Sequence, residues 1–391
     1  MARKGNGEGT IYYSEKLNKW VGQFTAGRKD NGKLNRKSVY GNTRKEVKEK
    51  MIEAQAKVLS NTYIEKSAIT IGELGKRIIE DKYAANIISG NTYNRDLGSF
   101  KHIDDIIGDI PIQKITPEQI QSFLNSKKDY AQSTIQKFNE MLNRIFQEAI
   151  KKDIINKNPL DLIIKPKSTK RTKTVDSLTI QEQKLFIEEV ENDCYKNILL
   201  LALHSGMRVG EILALTPEDI DFKNNLIHIT KTLTRDEKGQ VIIGKTTKTY
   251  ESTRDIPITR ILEPILENSL NRYVSNKNKL LFVLKESKGI IEPSTINDHC
   301  KKVAKNAGIR VIIHPTNKKG TMINLKRSTV NTHMLRHTYA TRCIEAGVPA
   351  EVLQKLLGHK DISITINTYT TIFDKYKKDS LESYITYMQN L

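Results

Sequence analysis

The spacing of hydrophobic residues changes along this chain, and each change marks a division. Near the N-terminus the period is two. Gly9-Thr10-Ile11-Tyr12-Tyr13, Lys19-Trp20-Val21-Gly22-Gln23-Phe24-Thr25 and Arg36-Lys37-Ser38-Val39-Tyr40 read as three strands. Between the last two, Arg28–Lys33 contains Asn31-Gly32, a pair that accepts the positive φ of a hairpin turn. At Thr43 the period becomes helical. Thr43 and Glu46 make a capping box, and Val47, Met51, Ala54 and Val58 follow on one face. Trp20, the only tryptophan, is read as core.

Residues 67–164 are helical throughout. Thr70 precedes Ile71, Leu74, Ile78 and Ile79. A second helix after Gly90 carries Tyr93, Leu97 and Phe100. Thr116-Pro117-Glu118-Gln119 combines a cap with proline at the first helical position. Ser133 is expected to open the last helix, with Ile135, Phe138, Leu142, Ile145, Phe146 and Ala149 on its apolar face, and Asn158-Pro159 to end it. The following stretch, KPKSTKRTKT at 165–174, has five basic residues and no acid. It reads as an exposed linker, either a flexible tether or a strip that tracks phosphates. From 175 to 391 helices dominate, interrupted by three short strands at Leu226–Thr234, Gln240–Gly244 and Thr253–Ile258. The expected fold is multidomain and mainly α with small antiparallel sheets. It comprises a three-stranded β plus helix module (1–62), a helical bundle (67–164), a basic linker (165–174) and a large α+β domain with a C-terminal tail helix (175–391).

Charge adds a partner to this picture. Among 391 residues, 64 are Lys or Arg and 45 are Asp or Glu, a formal charge of +19. Such an excess points to a polyanion, nucleic acid ahead of an anionic membrane. No apolar run approaches the ~18 residues of a membrane helix, and no hydrophobic segment follows the basic N-terminus as in a secretory signal. A cytoplasmic protein with no membrane partner is the expectation. Cys194, Cys300 and Cys343 are too scattered for a disulfide framework or zinc site and are expected to be buried small hydrophobes.

The chemistry gathers in the last domain. In His204-Ser205-Gly206-Met207-Arg208-Val209-Gly210-Glu211, Gly206 interrupts a helix and Arg208 starts another, a phosphate site in form. In His333-Met334-Leu335-Arg336-His337, Thr332 is expected to cap a helix whose first turn carries His333 and Arg336 on one face. A helix from Pro349 to Leu357 stops at Gly358. His359 follows directly, and the segment from Asp361 leads to Tyr369. Each block alone is a weak signal.

In this order, GMRVGEILAL, HMLRHTYAT and LLGHKDISITINTY resemble the tyrosine recombinase (phage integrase) family over roughly the last 215 residues. The upstream layout resembles the three-domain integrases of phages and conjugative transposons. The resemblance implies that Tyr369 is the nucleophile, that Arg208 and Arg336 bind the scissile phosphate, and that His333 and His359 complete its hydrogen-bond shell. It also implies a lysine on a β-hairpin, nine residues before the proline of an Arg-x-Ile-Pro segment. Here Arg254-Asp255-Ile256-Pro257 selects Lys248, with Lys245 as runner-up. Glu211 matches an acidic position and is read as support for Arg208.

These residue types suit the chemistry. Two guanidinium groups neutralise a phosphodiester and follow its charge into the transition state. A tyrosine hydroxyl, with a pKa near 10, needs a proton acceptor, for which His333 is the best-placed residue type. The deoxyribose leaving oxygen needs a proton, which a hairpin lysine can give. The covalent phosphotyrosine keeps the bond energy for rejoining. No metal or other cofactor is required.

The resulting expectation is a site-specific recombinase of a mobile element, working as a homotetramer on double-stranded DNA through a Holliday junction. The bundle and catalytic domain would clamp core-type sites. The N-terminal module would read arm-type sites, or else serve only as a solubilising β module. A directionality factor and a host DNA-bending protein are plausible partners on the same resemblance. A type IB topoisomerase-like relaxing enzyme and a non-catalytic DNA-binding regulator are the competing readings.

Overall fold

The period-two segments pair into a sheet. In the computed structural model, which describes residues 9–28, 32–59, 67–170, 176–245, 253–284, 286–318 and 321–389, β1 (Thr10–Ser14), β2 (Lys19–Arg28) and β3 (Leu34–Gly41) form an antiparallel sheet in the order β1-β2-β3. The chain divides into two units, Met1–Ala85 with Arg95–Arg171, and Asn86–Asn94 with Thr172–Leu391.

In the first unit, α1 (Arg44–Leu59) lays Met51 and Ala54 on Phe24 to make a small core. Glu46 accepts from the Asn42 N–H at 2.8 Å, and the Glu46 N–H donates to Thr43 Oγ1 at 3.2 Å, so the helix begins where the capping signal stands. Trp20 departs from expectation. It is half-exposed and stacks edge-on against Tyr13, its partner across the strands, with ring centroids 5.6 Å apart. The apolar centre forms instead around Phe24 under the helix.

The bundle comprises α2 (Ile71–Ala84), α3 (Gly90–Ile107), α4 (Pro117–Asn125) and α5 (Gln132–Lys151). Capping boxes at Thr70 and Thr116 start α2 and α4. The fourth helix begins one residue before Ser133, with Ala131 as its cap and no side-chain capping bond. Its buried face carries Phe138, Leu142, Ile145 and Phe146, as the spacing requires. The described part of the basic stretch is pinned to the bundle. The Ser168 N–H donates to Gln132 Oε1 at 2.7 Å, and the Thr169 N–H to the Lys128 carbonyl at 3.0 Å. Residues 171–175 lie outside the described residues.

The second unit is built around α7. Its elements run α6 (Ile180–Val190), α7 (Lys196–Ser205), α8 (Val209–Ile212), β4 (Ile220–Asp221), β5 (Leu226–Ile229), β6 (Lys231–Arg235), β7 (Val241–Lys245), β8 (Arg254–Pro257), α9 (Glu263–Asn271), α10 (Pro293–Asn306), β9 (Val311–Lys318), β10 (Thr321–Ser328), α11 (Thr332–Glu345), α12 (Ala350–Leu357) and α13 (Ile362–Gln389). Residues Ile198 to Leu203 are all buried, and a helix apolar on every side belongs at the centre of a core. Ile212, Ile227, Ile256, Ile296 and Leu335 pack into the same core. No helix among the described residues is long and apolar enough to cross a membrane.

Three sequence expectations change here. The single strand expected over Leu226–Thr234 is two. β5 joins β4 and β8 in one sheet, while β6 pairs with β7 in another. The burial explains the break, since β5 alternates with Ile227 and Ile229 buried, whereas every residue of β6 is half-buried. The β9–β10 hairpin was not expected at all. A β-branched run, Val311-Ile312-Ile313, ahead of Lys319-Gly320 was the signal for it. Of the cysteines, Cys300 is buried and Cys343 half-buried, but Cys194 lies exposed in the turn between α6 and α7.

Candidate active site

Gly206 makes the first part of the site possible. It ends α7 in the left-handed region with φ +66°, and a Cβ there would come within 2.4 Å of the Tyr339 ring. The turn sets Arg208 at the start of α8 and directs the Gly206 carbonyl at Arg336, whose Nη1 donates to it at 2.7 Å. Glu211 sits one turn into α8. It accepts from the Arg208 N–H at 2.8 Å and from Arg208 Nη1 at 2.9 Å. It also accepts a bidentate pair from Arg254 of β8, at 2.8 and 3.1 Å. The Glu211 and Arg254 side chains are 6% and 7% exposed, whereas Arg208 is 44% exposed. Burial acts to raise the Glu211 pKa, but the two guanidinium groups outweigh it and hold the carboxyl at about 2. Glu211 is therefore ionised and buttresses both arginines. The expected support for Arg208 is present, and Arg254 joins it.

Arg336 opens the second turn of α11, which begins at Thr332. The N-cap is Asn331, one residue before the expected Thr332, and its side chain accepts from the Met334 N–H at 3.0 Å. Arg336 is 2% exposed. Besides Gly206 it reaches the Leu357 carbonyl at 2.6 Å and His359 Nε2 at 3.0 Å, both through Nη2. A guanidinium only donates, so His359 Nε2 accepts and Nδ1 carries the proton toward Thr365 Oγ1, 2.8 Å away. Burial first, and then Arg208, pull the Arg336 pKa down to about 9. This cation has carbonyl and imidazole partners, while Glu211 is engaged by its neighbours. A bound anion would relieve its situation.

His359 follows Gly358, which ends α12 with φ +63°. Burial and the nearby arginines push the His359 pKa down to about 4. His333 is exposed. Its pKa is also lowered, by burial of part of the ring and by Arg336 and Arg208. Its ring meets His337 edge-on, with centroids 4.4 Å apart.

Tyr369 stands on α13 at a kink, φ −118° and ψ 18°. It is 1% exposed and packs with Ala340, Ile344, Leu353 and Leu357. Its hydroxyl lies 2.8 Å from His337 Nδ1. Burial raises the Tyr369 pKa to about 12, with Arg336 pulling the other way, while burial and the neighbouring His333 lower His337 to about 4. His337 stood in the second sequence block without an assigned role, and its position directly after Arg336 was the one signal available. The sequence marked His333 as the proton acceptor for Tyr369, but the imidazole at the hydroxyl is that of His337.

Thus Arg208, Arg336 and His359 are brought together around Glu211 and the Gly206 turn. His333 and Tyr369 both meet His337. Lys248 lies outside the described residues, and Lys245 ends β7 paired with Lys231 of β6. In the tail, Tyr384, Ile385 and Met388 are exposed. Asp193, Cys194 and His299 lie close enough to share an ion, but His299 Nδ1 already bonds Asp193 at 2.8 Å.

Residues 176–375 match the phage integrase family model, and residues 70–169 match the phage integrase SAM-like domain. A tyrosine recombinase XerC-like protein of Caldanaerobacter subterraneus is 28% identical over 92% of this chain and 94% of its own length. The transposase from transposon Tn916 of Enterococcus faecalis is 28% identical over 74% of this chain and 70% of its own. Among solved structures, the Tn1549 transposon integrase in complex with a circular intermediate DNA superposes with a TM-score of 0.65. The match has 21% identity and covers 80% of this chain and 99% of that one. A lambda integrase tetramer bound to a Holliday junction gives a TM-score of 0.56 at 17% identity, covering 94% and 96%.

Proposed function

The chain belongs to the phage integrase family, and on that premise we propose how it acts as a site-specific tyrosine recombinase of a mobile element. The comparisons lend no support to the topoisomerase reading. Tyr369 attacks a DNA phosphodiester and forms a 3′-phosphotyrosine. Arg336 and Arg208 hold the non-bridging oxygens, because fixed guanidinium groups stabilise charge that grows in the transition state. His359 completes the oxyanion contacts, and His333, on the exposed side of the same helix turn and neutral through its lowered pKa, accepts the phenol proton as Tyr369 attacks. Lys248 protonates the leaving deoxyribose oxygen, with Lys245 as the alternative. Neither the attack nor the return of the 5′-hydroxyl needs an external energy source, since the phosphotyrosine conserves the bond.

The observation that carries this reading is the buried Arg336 cation, set by Gly206, Leu357 and His359 within one helix turn of the imidazole that meets Tyr369. The protein works as a homotetramer on paired duplex sites in the cytoplasm. The residue 67–164 bundle grips core-type sites together with residues 175–391, joined through the basic stretch at 165–174. The residue 1–62 module binds arm-type sites. A directionality factor and a DNA-bending protein bias the direction of exchange. A net charge of +19 fits the phosphate contacts required, and affinity should fall steeply with salt.

The test is a nicked DNA substrate carrying the element junction, incubated in EDTA and resolved on a denaturing gel. Wild type should give a covalent adduct and Tyr369→Phe none. An adduct that persists in the variant would overturn the assignment of the nucleophile. Relaxation of supercoiled DNA without strand exchange would restore the topoisomerase reading.

A further inference from the structure

We infer that His337 is a positioning residue for the nucleophile: its Nδ1 anchors the Tyr369 hydroxyl and ties the phenol to the helix that carries Arg336. The inference rests on the reading of Tyr369 as the nucleophile.

Three observations carry it. First, the contact to His337 Nδ1, at 2.8 Å, is the hydrogen bond that the Tyr369 hydroxyl makes among the described residues. The ring packs against Ala340, Ile344, Leu353 and Leu357, with Tyr339, Cys343 and Val348 at the margin, and the Arg336 cation is near enough to act on its pKa. In such a pocket one polar partner fixes where the oxygen lies, because leaving a buried hydroxyl unpaired is unfavourable.

Second, the anchor is itself held. The His337 ring meets His333 edge-on at 4.4 Å and the Tyr369 ring edge-on at 5.7 Å between centroids. Third, His337 follows Arg336 directly on α11. Consecutive residues of a helix point in directions about 100° apart, so one rigid backbone sets the phosphate-binding guanidinium and the tyrosine's anchor at a fixed offset. A nucleophile at the kink of α13 is thereby registered to the phosphate grip through a different helix.

The protonation states suit an anchor. Burial holds His337 near 4 and Tyr369 near 12, so at neutral pH a neutral imidazole meets a neutral phenol. The contact orients the hydroxyl without taking its proton.

The experiment compares wild type, His337→Asn, His337→Gln, His337→Leu and Tyr369→Phe as full-length proteins. Asparagine places an amide near the position of Nδ1, and glutamine places it farther out, near Nε2. Single-turnover adduct formation on nicked DNA is measured at saturating DNA, with Kd measured separately. His337→Leu should cleave about tenfold more slowly or worse, with Kd changed by less than about twofold. His337→Asn should keep most of the wild-type rate, and His337→Gln should fall below it. In the DNA-free protein, the stability losses of His337→Leu and Tyr369→Phe should be non-additive, since both remove one bond.

The proposal is overturned if His337→Leu cleaves at the wild-type rate or faster, or if its defect lies wholly in Kd. It is also overturned if Asn and Gln behave alike. If the leucine variant does not fold, the order of Asn and Gln still decides. An adduct in Tyr369→Phe would instead sink the nucleophile reading, and the stability cycle would still report on the contact itself.

Discussion

The two halves of the candidate site are held by opposite means. On the arginine side stand two neighbouring sets of charged hydrogen bonds, Glu211 with Arg254, and Arg336 with His359 and two backbone carbonyls. On the tyrosine side, an aromatic ring packs with aliphatic residues, and among the described residues its hydroxyl has one hydrogen bond, to His337. Charged hydrogen bonds are directional and costly to break, so the arginine half is held in place without a ligand; under the proposed function it is a phosphate grip pre-organised before DNA arrives. An apolar pocket holds a ring without fixing its direction, which leaves orientation to a single hydrogen bond. Under the proposed function, the site pairs a rigid grip for the substrate with a lightly tethered nucleophile.

The sharpest way to break this comparison is to disturb the grip. Arg336→Lys keeps the charge but cannot reach Gly206, Leu357 and His359 from one planar group. Single-turnover adduct formation should drop by about 100-fold or more, with DNA affinity far less affected. A smaller loss would mean that the charge alone suffices and the fixed geometry does not matter.

Glu211→Gln should show its largest effect on stability. It leaves Arg254, 7% exposed, without its counter-charge, and breaking a buried pair on one side costs about 3–5 kcal/mol. Chemical denaturation measures this directly. By contrast, Arg208→Ala removes a side chain 44% exposed, and its pairing should contribute only about 0–1 kcal/mol. If the two variants are equally destabilised, Arg208 belongs to the buried network more than its exposure suggests.

Acid separates the contributions by pH. His337 and His359, both held near 4, bind fewer protons when folded than when unfolded. Their contribution is complete above about pH 6.5 and is lost as pH falls toward 4. Glu211, held at about 2, contributes fully above its ordinary value near 4.5 and loses that contribution as pH falls toward 2. Thermal melts across pH 7 to 3 should therefore decline in two overlapping stages. His359→Gln should flatten the upper stage and leave the lower one.

A further expected effect is local. Gly358→Ala puts a Cβ at φ +63° and within 2.9 Å of Arg254 Nη1. A loss of about 1 kcal/mol is expected from the backbone, with added strain on the Arg254 pair. A wild-type melting temperature would show that the α12–His359 turn yields easily.

Much of this was legible in the sequence because the signals were local. Thr70, Thr116 and Thr43 start helices by reaching three residues ahead, and those residues are present in the chain. Gly206 and Gly358 end helices with positive φ, as their places after α7 and α12 require. The three site blocks stood in plain order. Other features were missed for equally physical reasons. The split of β5 from β6 depends on which sheet each strand joins, and period alone cannot reveal that. Trp20 looked like core because large aromatics usually are, yet it stays half-exposed against Tyr13.

What the sequence determined by itself is most of the helices, several of their caps and the basic character, since these depend on composition and on residues within one or two turns, while the candidate site residues followed from the resemblance of three motif blocks. What only the tertiary structure decided is which of them meet. Arg254 reaches Glu211 across 43 residues, Arg336 reaches Gly206 across 130, and His337, rather than His333, meets the Tyr369 hydroxyl across 32. Those distances close only when α7, α8, β8, α11, α12 and α13 pack around shared apolar surfaces. Packing is a property of all the faces at once, which no single stretch of sequence encodes.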